Sequence, residues 1–279
     1  MNIKILMEDT NCGGFACEHG LSILAEYHGK NYLIDAGTTG LFLENAAKMG
    51  ADLSTVDAVF LSHAHYDHAG GLAGFFKGNR HADVYLQKNA GNRRCYKITG
   101  DRKKDIGIPQ GMLEQYAGRF VYVDGYRDFG NGVFILPHTT KQLFRRGERA
   151  HMYCEADGRM EADDFSHEQT VVFEEDGALI LFNSCSHAGV ENIMEEVGAR
   201  FPGKKIKAFF GGFHMMGSSG ISSCNFEKEE VEKVAEQLAG FRETVFYSGH
   251  CTGEVAFAWL KEILGDQLAA IHAGMEIEL

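Results

Sequence analysis

Leu61-Ser62-His63-Ala64-His65-Tyr66-Asp67-His68-Ala69-Gly70-Gly71-Leu72 is the stretch on which the reading of this chain turns. It follows an apolar run at residues 56–61 that reads as a buried strand, so its polar part lies on the loop at that strand's C-terminal end. His63, His65, Asp67 and His68 place four ligand-type side chains within six residues. In extended backbone His63 and His65 point to the same side and can grip one cation. Asp67 and His68 come a turn later and can hold a second. Zinc and iron take imidazole and carboxylate ligands and keep open positions that hold water. The Gly70-Gly71 pair allows a tight exit into a helix. A surface loop that is merely rich in histidine does not account for such dense spacing.

Working outward, strand-length apolar runs bounded by Gly, Asn and Asp recur along the chain. Residues 21–27 and 30–35 flank Tyr27-His28-Gly29 and read as a hairpin. Residues 170–174 and 178–182 flank Glu175-Asp176-Gly177, whose Asp-Gly is a strong hairpin signal. Residues 83–87, 206–210 and 244–247 complete the strands. Helical periodicity appears at 40–49, 191–200 and 227–239, with a closing helix around 259–264. Hairpins come first and strand–helix alternation follows, which fits an α/β layered sandwich better than a doubly wound sheet.

Composition bounds the function classes. The 279 residues hold 27 Lys+Arg against 39 Asp+Glu, a formal net charge of −12, with 44% hydrophobic residues, 34 Gly and 3 Pro. These fractions exclude collagen-like, low-complexity and disordered chains. A chain of this length buries about three quarters of its unfolded surface and needs no disulfide staples. The acidic balance argues against a nucleic-acid partner. Seven cysteines at 12, 17, 95, 154, 185, 224 and 251 include no CxxC pair. The N-terminal residues lack a signal-peptide core, and no apolar run is long enough to span a membrane. A soluble, reduced, cytoplasmic protein is expected, with its oligomeric state left open. Residues 77–149 stand apart with 15 of the 27 basic residues and 7 of the 39 acids, a local balance of +8. That stretch is either a solvated surface excursion or a lid that attracts an anionic substrate.

The histidine stretch resembles the metallo-β-lactamase superfamily, whose signature is HxHxDH after a strand. A narrower likeness, to the group of archaeal dihydropterin ribofuranosylaminobenzene phosphate synthases and bacterial metal-dependent hydrolases, rests on six motifs. They are Glu18-His19-Gly20-Leu21-Ser22, Leu33-Ile34-Asp35-Ala36-Gly37, the stretch quoted above, His167-Glu168-Gln169, Cys185-Ser186-His187-Ala188-Gly189 and Gly249-His250-Cys251-Thr252-Gly253. They run from near the first strand to near the C-terminus. The resemblance implies an αββα sandwich formed by one domain over residues 1–279, with the basic excursion or lid at about 77–149. It implies a binuclear site for two divalent metal ions, zinc first, with iron and manganese also compatible. His63, His65, Asp67 and His68 occupy the first four ligand positions, and His187 and His250 follow later strands as further ligands.

The superfamily's bridging aspartate is missing, and Ser184-Cys185 stands in its approximate place. Cys185 is either a thiolate ligand or a small buried thiol that orients His187. His167 is either a ligand or a polar cap at a strand start. Asp35 matches the first acidic motif and is expected to orient the histidine loop rather than bind metal. His214 is open between ligand, proton donor to the leaving group and substrate contact, and His19 between an orienting and a pocket role.

The implied activity is hydrolysis of a small anionic, phosphorylated substrate by a metal-activated hydroxide. Asp67 would hold the second metal and the attacking water, and His214 would protonate the leaving group. One alternative is a phosphoribosyl transferase of the synthase type, and another is a di-iron redox or binding protein. No P-loop, GxGxxG fingerprint or GxSxG elbow is present, so serine-nucleophile and NAD-dependent chemistry have no support.

Overall fold

Ser22–Tyr27 and Lys30–Ile34 form the expected hairpin, with Tyr27 opposite Lys30. His28 and Gly29 both take positive φ, 48° and 75°, the primed-turn geometry that matches strand twist. The computed structural model describes residues 1–156 and 158–279, and the chain divides into two compact units.

The first unit comprises Met1–Gly125, Lys141–Gln169 and His272–Leu279. Its main sheet runs in the order Glu276–Glu278, Asn2–Met7, Ser22–Tyr27, Lys30–Ile34, Ala58–Phe60, Asp83–Gln87, Phe120–Val123. The last four strands are mutually parallel, and the first two of their connections run through helices Leu41–Lys48 and Leu72–Gly78. These helices bury Phe42 and Ala46, and Leu72, Phe75 and Phe76. Parallel strands align their C-terminal ends, which is where α/β proteins collect functional loops. Asp35 and the histidine stretch leave the sheet there.

A second, four-stranded antiparallel sheet has the order Arg159–Ala162, Met152–Ala156, Arg94–Thr99, Arg102–Asp105. It takes up part of the basic stretch, where sequence periodicity offered no strand. Its partners are far apart in sequence, with Cys95 opposite Cys154.

The second unit comprises Tyr126–Thr140 and Thr170–Ile271. Its sheet order is Leu268–Ala270, Val245–Ser248, Lys205–Phe210, Ala178–Phe182, Gln169–Glu175, Val133–Pro137, Arg127–Asp128. Asp176 and Gly177, at φ 51° and 80°, close the expected hairpin. Ala178–Phe182, Lys205–Phe210, Val245–Ser248 and Leu268–Ala270 are parallel. Phe182 and Phe210 stack across neighbouring strands, ring centres 5.0 Å apart. Helices Val190–Arg200, Lys228–Ala239 and Glu254–Leu264 accompany the sheet. The last begins earlier than its 259–264 periodicity suggested. Among the described residues no helix is long and apolar enough to cross a membrane.

Candidate metal centre

In the first unit, Asp35 organises the histidine stretch. Its carboxylate is completely buried and accepts hydrogen bonds from the Ser62 backbone N–H at 2.7 Å, the Ser62 hydroxyl at 2.6 Å and His68 Nδ1 at 2.8 Å. Ser62 Oγ, having given its proton to Asp35, is left to accept from His63 Nδ1 at 2.8 Å. That fixes the His63 tautomer with an Nε2 lone pair for a cation, while Asp35 supplies orientation. Asp35 thus orients the loop, the role its motif implied.

His63 and His65 are buried, and burial above all, reinforced by their histidine neighbours, lowers their proton affinity. His63 lies well below the usual histidine range and His65 falls to about 3. Both are neutral at physiological pH, the state an imidazole must have to ligate. Asp67 Oδ2 lies 3.3 Å from His19 Nε2 and 3.4 Å from His68 Nε2, and Asp9 holds the other nitrogen of His19 at 2.8 Å. His68 is raised to about 9, because Asp67 and Asp35 together outweigh its burial. Gly70 and Gly71 lead directly into helix Leu72–Gly78, as expected, and also permit a close approach. A Cβ there would stand 2.0 Å from Thr38 O and 2.0 Å from Ala36 O respectively.

His167 also belongs to this unit, with both ring nitrogens engaged by the protein. Nδ1 accepts the Ala64 backbone N–H at 3.2 Å, and Nε2 lies 3.1 Å from Asp163 Oδ2 and 3.7 Å from Cys95 Sγ. Burial would raise the Asp163 carboxyl, but its pairing with His167 holds it below the usual range. The same pairing outweighs burial at His167 and raises that ring's proton affinity, yet the Ala64 N–H pointing at Nδ1 leaves no place for a second ring proton. Asp163, Cys95 and Cys154 escaped sequence reading. The only local signal was the Asp163-x-x-x-His167 spacing. Residues 102–107 of the basic stretch lie against the same loop: Tyr66 N–H donates to Ile106 O at 3.0 Å, and Lys104 Nζ reaches Tyr66 Oη at 3.2 Å.

In the second unit, three loops leave the C-terminal ends of adjacent parallel strands and carry Cys185 and His187, His214, and His250 and Cys251. The His187 and His214 rings are 4.1 Å apart. Cys185 and Cys251 bring their sulfurs within 3.3 Å, and Cys185, His214 and Cys251 each offer a donor atom within 4.8 Å of the others. Burial would raise the Cys251 thiol, but its contact with the Cys185 sulfur and the nearby His250 and His214 hold it well below its ordinary value. Asn183 shapes the first loop, accepting the Ser186 N–H at 2.7 Å. Thr252 Oγ1 ties the other two, accepting the Phe213 N–H at 2.9 Å. Gly212 admits the Cys251 sulfur, which a Cβ would meet at 2.5 Å. His214 Nδ1 is buried with no hydrogen-bond partner among the described residues. Imidazoles with a carboxylate in the first unit, and imidazoles with thiols in the second, are in each case donors that fit a borderline divalent cation.

Both the fold and this donor chemistry are those of the metallo-β-lactamase superfamily, and the chain belongs to it. The family model for the metallo-beta-lactamase superfamily matches residues 16–94. The crystal structure of Tm1679, described as a metal-dependent hydrolase of the beta-lactamase superfamily, is 30% identical. It superposes with a TM-score of 0.82 over 100% of this chain and 99% of its own. Among curated proteins, Uncharacterized protein MJ0448 of Methanocaldococcus jannaschii is 27% identical over 271 residues, 94% of each chain. The same organism's 7,8-dihydropterin-6-methyl-4-(beta-D-ribofuranosyl)-aminobenzene-5'-phosphate synthase is 25% identical over 296 aligned positions, covering 99% of this chain and 97% of the synthase.

Proposed function

We propose that this chain is a metal-dependent hydrolase of a small anionic, phosphorylated substrate, with His63, His65, Asp67, His68, His187 and His250 as ligands of two divalent cations. The observation that carries the reading is the pair of buried, neutral imidazoles at His63 and His65, with the Asp35–Ser62 hydrogen bonds fixing the His63 tautomer. Bound there, the cations would supply Lewis acidity and an activated water. Asp67 would hold that water's proton, and His214 would deliver one to the leaving group. Lys104, in contact with Tyr66 between His65 and Asp67, supports an anionic substrate. Cys185 and Cys251 favour zinc or iron over manganese, since thiols select softer cations.

Elemental analysis of protein purified without chelator should find close to two equivalents of zinc or iron, lost in His65→Ala, together with turnover in a phosphoester and lactone screen. Less than one equivalent, unchanged by the substitution and not restored by added metal, would overturn the reading. The 25% identity to the synthase over nearly the whole chain favours one second reading, a phosphoribosyl transferase. Diphosphate release from phosphoribosyl diphosphate with 4-aminobenzoate or 4-hydroxybenzoate identifies it.

A further inference from the structure

We infer that Asp163 and His167 form a positioning pair that clamps the backbone between His63 and His65 and thereby sets the cation affinity of the loop; this role rests on the metal-centre reading above. His167 is completely buried. The Ala64 N–H donates to its Nδ1 at 3.2 Å, and a ring nitrogen that accepts a hydrogen bond carries no proton. The single ring proton therefore sits on Nε2, where Asp163 Oδ2 accepts it at 3.1 Å. Asp163 is itself fixed. Its Oδ1 accepts the Phe165 N–H at 2.8 Å, and its own N–H donates to Met152 O at 3.0 Å. Gly147 packs so closely that a Cβ there would stand 2.3 Å from Asp163 O. The chain of hydrogen bonds ends on Ala64, the one residue between His63 and His65. The His167 ring lies 6.2 Å from that of His63 and 5.4 Å from that of His65.

His65, Cys95, Asp163 and His167 also bring one donor atom each within 4.8 Å of one another, as in a metal cage. Ligation through His167 Nε2 while Nδ1 accepts from Ala64 would require an imidazolate. The tautomer therefore assigns His167 to bracing, not to ligation. Partners of this kind change metal affinity by roughly 10–100-fold when removed, because ligand positions matter to about 0.5 Å.

The test uses the full chain and three substitutions, Asp163→Asn, His167→Phe and His167→Asn. In Asp163→Asn, the Phe165 N–H keeps the amide oxygen on its side, so the amide NH2 faces His167 Nε2. The ring proton must then move to Nδ1, where it opposes the Ala64 N–H. Long-range 1H–15N NMR of the metal-free wild type should show His167 protonated on Nε2 alone, and Asp163→Asn should move that proton to Nδ1. Zinc affinity, read by competition with a chelating dye, should fall roughly 10–100-fold in Asp163→Asn and His167→Phe. His167→Asn, whose Oδ1 can take the place of Nδ1, should stay near wild type. Urea midpoints of the metal-free variants identify any that fail to fold, and the wild-type tautomer needs no variant. Protonation of wild-type Nδ1, or unchanged zinc affinity in a folded Asp163→Asn with a shifted tautomer, overturns the role. A wild type that shows the Nε2 tautomer yet binds no zinc refutes the metal-centre reading instead, and the positioning role falls with it.

Discussion

Replacing Asp35 separates structural from chemical consequences in one residue. Asp35→Ala strips acceptors from three buried donors: the Ser62 N–H, the Ser62 hydroxyl and His68 Nδ1. The hydroxyl can rotate, but the other two cannot find new partners, and each orphaned buried donor costs about 1–3 kcal/mol. Asp35 also sits at φ 58°, where alanine is less tolerated than aspartate by about 1 kcal/mol. The sum, about 3–7 kcal/mol, is a large share of a typical domain's total of about 5–15 kcal/mol.

Asp35→Asn should behave differently. Its amide oxygen can keep the Ser62 N–H, and asparagine tolerates the left-handed backbone, so the stability loss should stay near 1–2 kcal/mol. The amide NH2, however, faces His68 Nδ1 and drives that ring's proton to Nε2, the nitrogen toward Asp67. His68 then has no lone pair for a cation. Urea unfolding of metal-free protein, with metal stoichiometry beside it, should find Asp35→Asn folded but holding one equivalent where wild type holds two. An Asp35→Ala protein within 1 kcal/mol of wild type would refute the hub, and two equivalents in Asp35→Asn would refute the tautomer argument.

Metal-free stability should peak near pH 6.5. Below that pH the unfolded chain takes up protons that His63 and His65, with lowered folded values, refuse, so stability falls with acid by about 1.4 kcal/mol per pH unit for each. Above it, His68, raised to about 9, contributes stability that is lost as pH rises from 6.5 through 9; a monotonic rise from pH 5 to 9 in chelator-containing urea titrations contradicts this. Gly71→Ala, whose Cβ would meet Ala36 O at 2.0 Å, Thr39 O at 2.5 Å and Phe42 at 2.7 Å, should lose about 1–3 kcal/mol or more. Gly78→Ala, with open space around its Cβ, should be neutral or slightly stabilising in the same assay.

The histidine loop was legible because its donors are contiguous and a strand frames them. The two hairpins were legible because His28-Gly29 and Asp176-Gly177 are turn chemistry written in adjacent residues. What local pattern does not carry is pairing at long range. Arg102–Asp105 is the run Arg-Lys-Lys-Asp, exposed throughout, and reads as a solvated charge cluster although it is a sheet edge. His167 is the sharper case. Its Nδ1 accepts from Ala64, 103 residues away, a partner that spacing alone cannot show, so the sequence left ligand and strand cap both open. Cys185 stays poised between its two readings, because its nearest sulfur neighbour, Cys251, lies on another loop.

Backbone strain adds an independent line of argument for where the chemistry sits. Asp35, Ser186, His214 and His250 all take left-handed φ, at 58°, 50°, 51° and 47°, each within a few residues of a parallel strand's C-terminal end. An L-residue with a Cβ gives up about 1–2 kcal/mol there. In the hairpins His28 and Asp176 accept the same conformation as half of a two-residue turn completed by Gly29 and Gly177, a reason that the strand-end loops lack. Here side chains from the same loops hold the backbone: Asn183 accepts the Ser186 N–H, and Thr252 accepts the Phe213 N–H, one residue before His214. Strain tolerated at one site is an accident of packing. Strain repeated across three adjacent strand ends of the second unit, each time beside or at a histidine, is the mark of side chains aimed at a common purpose.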